Sequence, residues 1–160
     1  MDEKALFLKF WEKEAPATRK VIARIPQDRS DYRADPKARN AREIAWLIVR
    51  EEMLLADGIE RGAIAWVELP TPARVEEILE TYDRHHDDAT RKLHGVEAAG
   101  WQKQIPFVFD GQEVMKETAH DMAWGFLFDI IHHRGQLSTY LRPMGSTVPA
   151  IYGPSADEGM

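Results

Sequence analysis

The spacing of the apolar residues constrains this chain most. In four stretches they recur three and four positions apart, as on one face of an α-helix, and proline and glycine fall between the stretches. The pattern predicts an all-α protein. The first helix is expected over about residues 3–25, with Pro16 kinking or restarting it and Pro26 closing it. The second spans about 40–60, with a stop near Gly58 or Gly62. The third spans about 72–94, with Thr71 as N-cap, Pro72 at the first helical position, and Glu76 and Glu77 near its positive end. A loop at 101–111 holds a short extended piece at Ile105 to Phe109, and the fourth helix spans about 115–142, ended by Pro143 and Gly145. No segment repeats another at a fixed period. The expectation is one domain over residues 1–160, an up-down four-helix bundle whose long loops at 26–39 and 96–114 cover one end. In the C-terminal tail, 143–160, Val148, Ile151 and Tyr152 are expected to dock and the last residues to fray.

With 44% hydrophobic residues in 160, the chain is long enough for one core. Lys+Arg 21 against Asp+Glu 27 leaves a formal net charge of -6, and no basic run offers the footprint that a phosphate backbone requires, which argues against nucleic acid as a partner. Without cysteine there is no disulfide, no thiolate metal site and no thiol nucleophile, so any thiol chemistry borrows its thiol. The start Met1-Asp2-Glu3-Lys4 lacks the basic opening of a secretory signal. The most apolar run, Met122 to Phe128, ends at Asp129, too short for a membrane span; a cytoplasmic protein is expected.

Polar residues on faces that should be apolar are where chemistry is sought. On the second helix the stripe of Ile44, Leu47, Ile48, Leu54 and Leu55 is centred near Glu51, a carboxylate whose burial is costly without a partner. On the fourth, the stripe of Met122, Phe126, Leu137 and Tyr140 is centred on Asp129 and His133, four apart and therefore stacked on one face. On the third, His86 shares the stripe of Val75, Leu79, Tyr82 and Leu93. Antiparallel packing brings all four to a similar height, and carboxylates with imidazoles suit a divalent metal such as Zn, Mn, Ni or Fe. The plainer alternative pairs Asp129 with His133 or His132, and Glu51 with a basic residue of another helix, with no metal at all. A Glu-x-x-His di-iron motif, a phosphate loop, a nucleophile elbow and a His-Glu-x-x-His helix are all missing from the sequence.

The run Asp129-Ile130-Ile131-His132-His133-Arg134-Gly135-Gln136-Leu137, the ending Leu141-Arg142-Pro143-Met144-Gly145 and the tail Val148-Pro149-Ala150-Ile151-Tyr152-Gly153-Pro154 closely resemble the DinB/YfiT-like family. Glu43 to Val49 adds a second match, so that about a third of the chain carries the resemblance. The resemblance implies a four-helix bundle, commonly a homodimer, holding a divalent metal by three histidines, one from the second helix and two four apart in the fourth. It also implies transfer of a low-molecular-weight thiol such as bacillithiol, or, in relatives, mycothiol-dependent isomerisation. By motif the fourth-helix pair falls on Asp129 and His133, and the second-helix ligand falls on Leu47, which binds no metal. The family's site is therefore either rebuilt with Glu51, one turn on, or lost.

Two classes of function follow. One is a metal-dependent transferase or hydrolase acting on a small molecule, with Glu51, Asp129, His133 and His86 as candidate ligands and an external thiol as co-substrate. The other is a metal-free dimeric binding module. A homodimer built on the fourth helix is expected in either case, because Met122 to Phe128 is apolar all round and leaves Trp124 and Phe128 in need of cover, while Gly125 and Gly135 admit a second backbone.

Overall fold

A computed structural model describes residues 2–159, so Met1 and Met160 of the expected 1–160 domain lie outside the described residues. Four long helices dominate: α1 (Glu3–Ala23), α2 (Ala41–Arg61), α3 (Val75–Gly95) and α5 (Ala119–Leu141), with the single turn α4 (Ala98–Trp101) between α3 and α5. α2 and α1 each pack against both α3 and α5, enclosing a core that includes Phe7, Trp11, Ile48, Leu55, Ile130 and Leu137. No described helix is long and apolar enough to cross a membrane.

The ends of α2 follow from local chemistry. Asn40 accepts from the Glu43 amide while the Glu43 carboxylate accepts from the Asn40 amide, so two of the helix's free donors are satisfied reciprocally. Gly62 closes the helix at φ 83, where a Cβ is strained. Gly58 is not the stop: it lies inside α2, where a Cβ would fall 2.2 Å from Ile64 Cγ1, and its bareness lets the next segment lie against the helix. That segment is β1 (Ile64–Ala65).

The all-α expectation is corrected here. β1 runs parallel to β2 (Gln104–Phe109), pairing Ile64 with Phe107, and β2 runs antiparallel to β3 (Gln112–Thr118), with an irregularity between Phe107 and Val108. The extended piece foreseen at Ile105 to Phe109 is β2. Its hairpin turns on Asp110 and Gly111, both at positive φ (48 and 75), the two-residue geometry for which Asp-Gly is suited. β3 replaces the expected loop up to 114 and takes 115–118 from the fourth helix, which begins at Ala119 with the Thr118 hydroxyl accepting from the Asp121 amide. β3 is exposed along almost its whole length, so no alternation of apolar and polar residues marked it.

Two further boundaries differ. α3 starts at Val75, three residues after Pro72, and its cap comes from outside: Gln27 accepts from the Val75 amide at 2.8 Å and donates to the Ala73 carbonyl. α1 continues through Pro16 without a second start. The tail docks as far as Glu158. Val148 and Ile151 pack on the core, Asp157 accepts from the Val148 amide and pairs with Arg142, and Glu158 pairs with Lys20 and Arg24, so the expected fraying does not hold there. Trp124 also departs from expectation. Phe7 and Phe10 of α1 cover it within the chain, at ring separations of 5.4 and 5.9 Å, whereas Phe128 stays 60% exposed.

Candidate metal centre

Glu51 comes from the middle of α2, and Asp129 and His133 stand one turn apart on α5, which packs against it. His133 Nε2 lies 3.5 Å from Glu51 Oε1 and 3.5 Å from Asp129 Oδ1, and one donor atom of each residue lies within 4.8 Å of the others. Two ligand atoms each bonded at about 2.0–2.2 Å to one tetrahedral ion stand about 3.3–3.6 Å apart, and both contacts of His133 match that spacing, which makes the three a candidate group for one divalent cation. Glu51 is buried, His133 is half-buried and Asp129 faces outward.

Two features of the surroundings bear on that fit. Glu51 Oε2 is buried and has no hydrogen-bond partner, an uncommon and costly state for a carboxyl oxygen. Burial, and next the charge of Asp129, push the Glu51 carboxyl up to about 10, so without a cation it holds a proton at neutral pH. On the other side, His133 Nδ1 stands 3.0 Å from Gln136 Oε1, one turn along α5. Donation from Nδ1 to the amide oxygen leaves the Nε2 lone pair turned to the carboxyl groups, the arrangement usual for a metal-binding histidine.

His86 is not among them. Its Nδ1 lies 2.9 Å from Glu52 Oε2, its Nε2 faces the Thr90 hydroxyl, and its ring is stacked between Trp11 and Tyr82 at 5.4 and 5.6 Å. Burial raises the Glu52 carboxyl, and Glu52 in turn raises His86 against the opposing effect of its own burial. The α3 histidine therefore belongs to a separate polar contact in the core. His86 thus lies at the expected height but on the other side of α2 from the expected group, because Glu51 and Glu52 are adjacent and about 100° apart around that helix.

A cavity of about 600 Å³ opens beside the three residues, with Glu51 and Asp129 in its wall. Its apolar sides come from α5 and also from the strands: Trp66, Phe107 and Met115 follow or belong to β1, β2 and β3. The sequence assigns no role to these wall residues, and Gln136 enters it only as part of the Asp129 to Leu137 run. Gln136 carried a signal, three residues after His133 on the same helix face; Trp66, Phe107 and Met115 carried none, since only strand pairing brings them to α5.

A DinB family model matches residues 1–159. Over 158 residues the chain is 27% identical to the uncharacterized protein YrdA of Bacillus subtilis (strain 168), covering 95% of this chain and 89% of that one. Its fold is similar to two crystal structures. One is a DinB-like protein (YjoA) of Bacillus subtilis, with TM-score 0.71 and 20% identity over 97% of this chain and 99% of that one. The other is a DinB-like protein of Bacillus cereus ATCC 10987, with TM-score 0.76 and 19% identity over 91% and 95%.

Proposed function

The chain belongs to the DinB family, and we propose that its Glu51, Asp129 and His133 hold one divalent metal ion for the transfer of a low-molecular-weight thiol to, or the hydrolysis of, a small molecule. What supports this is the buried, unpartnered Oε2 of Glu51 set beside a second carboxylate and an imidazole already turned by Gln136. A bound ion supplies the Lewis acidity that brings water or a thiol toward ionisation near neutral pH. The residues do the rest. Gln136 fixes the ring of His133, Glu51 releases its proton when a cation arrives, and the apolar cavity limits water around the reacting groups. Since the chain has no cysteine, the thiol comes from outside.

Untagged protein stripped with chelator and titrated with zinc is expected to take up about one equivalent, and His133→Ala to weaken uptake by at least about a hundredfold. Uptake below about a tenth of an equivalent overturns the metal reading and leaves a metal-free binding module.

A second copy of the chain is proposed against α5, where Phe128 is exposed and a Cβ on Gly125 or Gly135 would meet nothing within 4 Å. Light scattering is expected to give twice the 18.4 kDa chain mass, and Phe128→Glu to halve it. A single-chain mass at micromolar concentration rules the dimer out. Trp124 does not report on this contact, because its cover comes from α1.

A further inference from the structure

The cavity beside Glu51 and Asp129 has a chemical character of its own. Its polar lining is Glu51, Glu117, Asp129 and His132, three carboxyl groups to one imidazole, and among the described residues no lysine or arginine lines it. The remaining wall is apolar and largely aromatic, with Trp66 from the segment after β1, Phe107 from β2 and Phe126 from α5. Phe107 and Phe126 meet edge to face at 6.0 Å.

Trp66 is held as a fixed plate. The Arg50 guanidinium lies 4.1 Å from the centre of its ring, Arg50 is itself tied to Glu68 and the Val67 carbonyl, and Trp66 Nε1 donates to Glu68 at 2.7 Å. Arg50 does not line the cavity; it shares a smaller hollow with Trp66, so the guanidinium holds the indole without bringing a positive charge into the cavity lining. A rigid aromatic plate in a pocket of this size favours a flat ring over a flexible chain, because neither the wall nor the ligand loses much freedom on stacking.

We propose that this cavity is the substrate pocket of the metal site and selects an aromatic small molecule bearing a cationic amine over one of the same shape bearing a carboxylate. The ring stacks on Trp66, and the ammonium lies toward Glu117, the lining carboxylate that is not a proposed metal ligand, with which it pairs. An anionic counterpart meets Glu117, and in the metal-free protein Asp129 as well, with no arginine or lysine in the lining to offset them. The proposal rests on the metal reading only for what the pocket is for; the charge preference comes from the lining itself.

Isothermal titration calorimetry tests it with three probes of one shape, 2-naphthylmethylamine, 2-naphthalenemethanol and 2-naphthoate, at low salt and pH 8, on the full-length protein both zinc-loaded and chelator-treated. In the chelator-treated protein the amine is expected to bind about tenfold tighter than the alcohol and the carboxylate weakest of the three. Glu117→Gln, an exposed strand position, is expected to remove most of the preference for amine over alcohol, and Trp66→Leu to weaken all three probes. Equal or tighter binding of 2-naphthoate in the chelated protein overturns the proposal, as does the absence of saturable binding by all three. Zinc uptake measured on the same samples separates the two readings. Charge discrimination without zinc uptake defeats the metal site alone, and zinc uptake without discrimination defeats the pocket assignment alone.

Discussion

Replacing Glu51 with glutamine is expected to raise the melting temperature of chelator-treated protein at pH 8 by about 10 °C and to abolish zinc uptake. The opposite signs come from one cause. Burial and the neighbouring Asp129 charge hold the Glu51 carboxyl protonated up to about 10, against an ordinary value of 4.5 in the unfolded chain. Between those limits the folded state binds a proton that the unfolded state has lost. The contribution is therefore full below about pH 4.5 and is lost as pH rises toward 10, by up to about 1.4 kcal/mol per unit. Glutamine resembles the protonated acid in shape and does not titrate, so it escapes that loss. The gain is expected to vanish at pH 4.5, where both proteins carry a neutral group. For the parent protein zinc should act in the reverse direction, raising the melting temperature at pH 8 and lifting it less as pH falls and protons compete for the ligands. Thermal melts of the two proteins at pH 4.5, 6 and 8, with zinc and with chelator, decide it. A Glu51→Gln protein that melts lower at pH 8, and by less at pH 4.5, means the carboxyl is ionised and paired in the fold.

Arg134→Met is expected to cost about 3–5 kcal/mol of folding stability, a loss of about 10 °C or more. Arg134 is 2% exposed on α5 and reaches across to α1, donating to the Glu14 carboxylate at 2.7 Å, the Glu14 carbonyl and the Thr18 hydroxyl, and to the Tyr152 hydroxyl of the tail at 2.6 Å. Tyr152 in turn donates to the same carboxylate. Removing the guanidinium leaves Glu14 buried with one hydroxyl for company and a carbonyl with one donor fewer. The double variant Glu14→Gln with Arg134→Met is expected to recover part of the loss, because it removes the stranded charge. Urea unfolding measures both. A single-variant loss below about 1 kcal/mol would mean that water reaches Glu14, and should Arg134→Met not fold, Arg134→Lys reads the same contact with charge kept and the fork geometry removed. Because Arg134 turns toward α1, zinc uptake by the folded variant is expected to be unchanged, in contrast to Glu51→Gln.

The helical frame was legible wherever a local rule decided the outcome. The Asn40–Glu43 capping box, the glycine at 62 and the three-to-four spacing of the apolar residues act within one turn of the chain, so the ends of α2 could be read directly. The start of α3 could not. Thr71 and Pro72 offered a local cap, but the helix takes its cap from Gln27, 48 residues away, and that competition is settled only when the two segments meet.

Within the candidate site the same division holds. The sequence by itself determined that Asp129 and His133 share a helix face, since i and i+4 stack in any α-helix, and that Glu51 lies on the buried side of α2, since its neighbours on the stripe are apolar. Only the tertiary structure decided that Glu51 rather than Glu52 faces that pair, that His86 goes to Glu52, and that β2, β3 and the segment after β1 bring Phe107, Met115, Glu117 and Trp66 into one cavity wall. The rotation of one helix about its axis relative to its neighbours, and the pairing of strands distant in the chain, are set by the packing of the whole core. Each local segment tolerates several of these arrangements at nearly equal energy, and only the close fit of all of them together selects one.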